Sequence, residues 1–120
     1  MSTPLSQKYL NVLLSDVSTA GSAYVVAPST GYIKKIYSVI NGAIATANAA
    51  ITTEINGIAV TGGALTITQS GSAAGDVDSA TPTAANFVKA GDVIEVITDG
   101  ASTNTISANF TFVIEETTFF

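Results

Sequence analysis

From Ile106 to Ile114 every second residue is apolar: Ile106, Ala108, Phe110, Phe112 and Ile114 fall on one face, with Ser107, Asn109 and Thr111 on the other. A period of two is that of a strand with one buried face. Similar runs recur along the chain, separated by Gly, Asn and Asp at short intervals. Tyr24 to Ala27 is a strand that must stop at Pro28, which has no amide to donate to a ladder. Tyr32 to Ile40 is a longer one, and its alternation is disturbed at Lys34-Lys35, the mark of a bulge or of a guarded edge. Ala50 to Ile55 alternates again. Asn56-Gly57 after it is the two-residue hairpin signal, since a type I′ turn needs positive φ at both positions. That turn leads into Ile58-Ala59-Val60, and Gly62-Gly63 turns the chain into Leu65-Thr66-Ile67. Val93 to Thr98 is apolar nearly throughout and reads as a central strand covered on both faces, with Asp99-Gly100 turning toward the last strand.

Two stretches lack this rhythm. Ser70 to Asn86 is small and polar and reads as a long loop. Tyr9 to Val17 fits either a strand or one or two helical turns, because Leu10, Leu13, Leu14 and Val17 keep helical spacing; the β-rich context favours a strand. Residues 1–8 are polar, contain a proline and read as an N-terminal arm, with residues 9–120 forming the folded domain. About eight strands with short connections predict an all-β chain, a single antiparallel β-sandwich of jelly-roll type.

Composition changes the picture in one direction. The 120 residues include no histidine, cysteine, arginine or tryptophan, and the four lysines and nine carboxylates leave only 11% charged. Ordinary soluble domains carry about 25%. The surface must then be built from Ala, Gly, Ser, Thr and Asn, a weakly hydrated surface suited to permanent contact with another subunit. General bases near neutral pH, activated thiols, soft metal ligands and bidentate clamps for phosphate are all missing. A net charge of −5 and a pI near 4.2 argue against nucleic acid. No apolar run is long enough for a membrane span, and the first residues lack the basic and apolar regions of a signal peptide.

The candidate chemistry is thin. Asp76 and Asp78 suggest a hard-cation loop but lack the further ligands such a loop needs, so they read as solvated loop acids. Asp92, Glu95 and Asp99 flank one strand as paired carboxylates would, yet Gly91-Asp92 and Asp99-Gly100 read as turns. Lys34 and Lys35 suit either an acidic partner surface or protection of an edge. Phe119 and Phe120 close the chain with two large aromatics that gain most by packing into a neighbouring subunit. These four residues are the candidate interface; no catalytic residue, cofactor or metal is expected.

Four segments in order, Tyr32-Ile33-Lys34-Lys35-Ile36-Tyr37-Ser38-Val39-Ile40-Asn41-Gly42-Ala43, Ile55-Asn56-Gly57-Ile58-Ala59-Val60-Thr61-Gly62-Gly63, Gly71-Ser72-Ala73-Ala74-Gly75-Asp76-Val77-Asp78 and Val88-Lys89-Ala90-Gly91-Asp92-Val93-Ile94-Glu95-Val96, resemble the small β-sandwich head decoration, or cement, proteins of tailed bacteriophages. The similarity runs from about Ala27 to Glu116 and lies in turn order and spacing. It implies a homotrimer on the outer capsid surface of a virion assembled in the host cytoplasm, bridging subunits of the major capsid protein and stabilising the shell. It carries over no binding residues. Two other readings stand beside it. Another virion β-sandwich, from a head fibre or the tail, would belong with fibre or coiled-coil repeats, and none is present. A carbohydrate-binding module would need exposed aromatics as a stacking platform, for which Tyr9, Tyr24, Tyr32 and Tyr37 are the candidates.

Overall fold

The computed structural model describes residues 6–117. Ten strands occur in order: β1 (Gln7–Leu14), β2 (Gly21–Val26), β3 (Gly31–Ile40), β4 (Ala49–Ile55), β5 (Ile58–Ala59), β6 (Leu65–Ile67), β7 (Val77–Ala80), β8 (Phe87–Val88), β9 (Val93–Thr98) and β10 (Ala108–Glu116). One sheet has the order β1-β10-β3-β7, with β8 also on β3. The other runs β2-β9-β4-β5, with β6 also on β4. All pairings are antiparallel, and the first and last strands lie side by side. The expected all-β sandwich is the observed fold.

The core lies between the two inner faces. β10 sends Ala108, Phe110, Phe112 and Ile114 inward, all fully buried, and β3 adds Ile33, Ile36 and Ile40. The facing sheet contributes Ile51, Leu65, Ile67, Ile94 and Val96. Alternation in β10 therefore maps directly onto inside and outside. Asn56 and Gly57 take φ of 49° and 83°, as the type I′ reading of that hairpin requires.

The Lys34-Lys35 irregularity is a bulge rather than an edge. Lys35 pairs with Val113 and Ile33 with Ile114, so Lys34 is the extra residue. The bulge sits in an interior strand and turns both lysines outward, where their ammonium groups lie 5.7 Å from the Tyr32 ring centre and 5.9 Å from that of Tyr37.

Three expectations need correcting. Ser70 to Asn86 is not one loop, because β7 lies within it and pairs with β3 from Ile36 to Val39. Its four residues carry no apolar-in, polar-out alternation, since Val77 stands outward at 61% exposure and Asp78 pairs with inward Ser38. Val93 to Thr98 is central but not covered on both sides, with Val93 38% exposed. Its outward residues are shielded only by neighbours on β2 and β4, not by a further layer. Finally, β1 starts within the segment read as an arm: Gln7 and Lys8 pair with Glu115 and Ile114, while residues 1–5 lie outside the described residues.

Two inward hydroxyls, Ser38 Oγ and Thr53 Oγ1, are buried without a hydrogen-bond partner. Thr98, by contrast, donates its hydroxyl to the Val17 carbonyl at 2.9 Å. An unpaired buried hydroxyl costs about 1–3 kcal/mol. Thr53→Val keeps the shape and removes the hydroxyl, so it is expected to stabilise the domain by about 1 kcal/mol. Chemical denaturation checks this, and Thr98→Val, which leaves the Val17 carbonyl unpaired, moves the midpoint the opposite way.

Candidate binding surface

With the inner faces filled, the two outer faces remain. On the first sheet, the positions alternating with the core residues point outward: Tyr9, Asn11 and Leu13 on β1, Asn109, Thr111 and Val113 on β10, Tyr37 and Val39 on β3, and Val77 on β7. Three of the four tyrosines, Tyr9, Tyr32 and Tyr37, share this face at 64%, 43% and 40% exposure, and Tyr24 stands on the other sheet. Tyr37 pairs directly with Thr111, which in turn pairs with Asn11. Thr111 donates its hydroxyl to Asn11 Oδ1 at 2.8 Å, so these two side chains hold each other beside the ring. A shallow groove of about 290 Å³ lies here, lined by Tyr37, Val39, Val77, Asn109 and Thr111. Lys35, two residues before Tyr37 on the same strand, donates to Thr81 Oγ1 at 2.8 Å.

The groove was partly legible. The polar face of β10, with Asn109 and Thr111, follows from the sequence alternation. Val77 was hidden in the presumed loop, and only the strand order brings it beside Val39. Of the candidate interface residues, Lys34 and Lys35 border the aromatic face, and Phe119 and Phe120 lie outside the described residues.

The opposite face carries Tyr24, Val26 and Val93 with Glu54 and Glu95, which pair directly across β4 and β9. A hydrogen bond to the Glu95 carboxylate, then the Glu95 charge, hold the Tyr24 phenol above the usual tyrosine range. A second recess of about 290 Å³ opens at the end of the sandwich between Ile55, Asn56, Ile58, Ala85, Phe87 and Asp92.

Four aspartates serve as acceptors for backbone amides. Asp92 accepts the Lys89 amide at 2.8 Å, and Asp99 accepts the amides of Ala50 and Ala101 at 3.2 and 3.1 Å. Asp76 accepts from the Ala73 amide and Asp78 from the Thr68 amide, so both are structural acceptors rather than free loop acids. Asp92 and Glu95 do not converge: one serves a turn and the other stands on a sheet face. Among the described residues no group of three or more His, Cys, Asp or Glu is placed to hold a metal ion.

Three hydrogen-bonded carboxylates make an acid-stability prediction. Hydrogen bonds from Ser18 to Asp16, from the Lys89 amide to Asp92 and from Ser6 to Glu116 lower all three carboxyl pKa values. A lowered folded-state pKa stabilises the fold above the ordinary carboxylate value, and that stabilisation is lost as pH falls through the lowered one. The urea midpoint is expected to stay level from neutral pH down to about 5 and to fall below about 4. Asp92→Asn flattens that fall.

No protein-family model matches the chain, and no curated protein sequence matches it. Solved structures do resemble it. The catalytic unit of the thermostable GH87 α-1,3-glucanase from Streptomyces thermodiastaticus strain HF3-3 superposes with a TM-score of 0.56 at 12% identity over 96% of this chain and 27% of its own. A GH87 α-1,3-glucanase catalytic domain in complex with nigerose gives 0.54 at 11% identity over 89% of this chain and 22% of its own. The chain thus spans about a quarter of the length of these glucanase units. The carbohydrate-binding module CBM35 from Cellvibrio japonicus Abf62 gives 0.51 at 12% identity, covering 85% of this chain and 74% of the module. At such identities the likeness is one of fold alone, a β-sandwich.

Proposed function

We propose that this domain is a non-catalytic carbohydrate-binding module that takes a neutral polysaccharide on the outer face of the first sheet. The observation that carries this reading is the groove beside Tyr37. An exposed ring offers a flat apolar surface to the C–H face of a pyranose, and Asn109, Thr111 and Asn11 supply amide and hydroxyl groups at its edge for the sugar hydroxyls. Apolar lining with a few placed polar groups is the usual make-up of a small-ligand site. Tyr9 stands two strands over and two residues along, about 12 Å away, and extends the platform toward a further sugar unit. The fold shared with CBM35 supports the reading without supplying residues.

Affinity electrophoresis against soluble neutral glucans and xylans tests it. Tyr37→Ala is expected to weaken binding by about 5- to 30-fold, the equivalent of about 1–2 kcal/mol. Tyr24→Ala on the opposite sheet leaves it unchanged. No retardation by any glycan sinks the proposal.

A second reading rests on a different observation. Leu13, Val26, Ile58 and Val77 are 56–68% exposed, and aliphatic side chains serve a protein contact better than a sugar. They suit a decoration protein clamping capsid subunits, as the sequence resemblance implies. Co-sedimentation with empty phage shells, together with failure on glycans, would favour that reading.

A further inference from the structure

β1 differs from the other sheet edges. β5, β6, β7 and β8 have 2, 3, 4 and 2 residues. β2 has 6 and is stopped by Pro28 two positions on. Short strands and prolines are ordinary protection against unwanted edge pairing. β1 has 8 residues, no proline, no bulge in its register with β10, and a single charge, Lys8. Alternate backbone N–H and C=O groups on it point away from β10. Among the described residues the β1 backbone is hydrogen-bonded to β10 alone.

Both sides of this edge are apolar. Tyr9 and Leu13 point outward at 64% and 56% exposure. Leu10 and Val12 point inward, opposite Phe112 and Phe110, yet stay only partly buried because the layer ends there.

We propose that β1 pairs antiparallel with β1 of a second copy about a two-fold axis at Asn11, making one continuous sheet of the two. Residues directly opposite in an antiparallel pair share a face, so outward positions must meet outward positions. With Asn11 opposite Asn11 of the second copy, Tyr9 meets Leu13 and Leu13 meets Tyr9 on the outer side, and Leu10 meets Val12 on the inner. Aromatic and aliphatic cross-strand pairs are the favourable kind. Sliding the register by two residues in either direction sets both Tyr9 and Leu13 against polar residues. Charge agrees: the two Lys8 residues lie at opposite ends, each beside Leu14 of the other copy, where the chain runs on to Asp16. The edge complements itself, which favours a second copy over an unrelated strand. The joined faces carry two Tyr37 grooves, so an extended polymer would bind with the added strength of two linked sites.

The test combines light scattering after size exclusion, over a concentration series, with cross-linking of Asn11→Cys. The native chain has no cysteine, so any disulfide in that variant joins two copies. The Cα separation of an opposed antiparallel pair, about 4.5–5.5 Å, lies within disulfide range. The expected mass is twice the 12.1 kDa of the chain. Leu13→Lys and Tyr9→Lys halve it with unchanged circular dichroism, and Val77→Lys does not. Asn11→Cys cross-links nearly completely and Val77→Cys does not. A monomer at every concentration, a trimer, a dimer that survives Leu13→Lys, or a dimer that Asn11→Cys fails to cross-link overturns the proposal. Asn11→Cys alone decides if a lysine variant does not fold.

Discussion

Phe110→Ala is expected to destabilise the domain by about 3–5 kcal/mol, enough to unfold much of the population at physiological temperature. Phe110 lies in the middle of β10, flanked by Val12 on β1 and Ser38 on β3, with no exposed surface. Its removal opens a cavity at the centre of the first sheet's inner face. The neighbours cannot collapse into it, because β10 is held by ladders on both sides. Truncation therefore carries the lost transfer free energy of the ring plus the cavity term. Urea unfolding is expected to show a lowered midpoint with an unchanged slope, and the melting temperature drops by about 10–20 °C. Phe110→Leu, which refills most of the space, loses about a third as much. A loss below about 1 kcal/mol for Phe110→Ala would mean that β10 is not the centre of the core.

The fold was legible where one face is buried and the other wet. In β10 and β4, period-two alternation follows from having a core on only one side, so the inward residues could be named in advance. The Asn56-Gly57 hairpin was legible for a different reason: its backbone needs positive φ at both positions, and few residue pairs supply it. β1 shows the limit. Leu10, Leu13, Leu14 and Val17 keep helical spacing, but in the fold Leu10 and Leu14 face inward while Leu13 stands 56% exposed. Pairing with β10, about a hundred residues away in sequence, overrides the local pattern.

The binding face was legible only in pieces. Tyr37 and the polar side of β10 are visible in the alternation of their own strands. That they lie side by side, with Val77 from β7 on the far flank, depends on strand order, which comes from long-range pairing and leaves no local signature. The Lys34-Lys35 bulge was readable as an irregularity, but not its effect, which is to bring two ammonium groups near the rings of Tyr32 and Tyr37.

Gly31 is the residue whose role the sequence conceals most fully, and Gly31→Ala is expected to cost about 2–3 kcal/mol. It follows Ser29-Thr30, and the strand read from the sequence begins only after it, at Tyr32. In the structure it begins β3 and pairs with both Glu116 and Val88. A Cβ placed there would lie 2.2 Å from the Glu115 carbonyl oxygen, 2.8 Å from its carbon and 2.9 Å from Glu116 Cα. All three are backbone atoms, so no side chain can swing aside, and β10 must move off β3. That end of β10 is also tied down elsewhere: the Glu116 amide donates to the Ser6 carbonyl and the Thr117 amide to that of Thr30. The strain is thus expected to break these links and splay the strand end, while the pairs around Phe110 and Ser38 hold. Amide exchange separates the two outcomes. Protection should vanish at Tyr32, Glu116 and Thr117 and persist from Ala108 to Phe112. Gly57→Ala supplies the contrast, since that glycine has a φ of 83° but nothing within 4 Å of an added Cβ. It is expected to lose about 1 kcal/mol from backbone strain alone, with sheet protection unchanged. Equal losses and equal exchange patterns at the two sites would show that the close approach of β10 does not set the requirement for glycine at position 31.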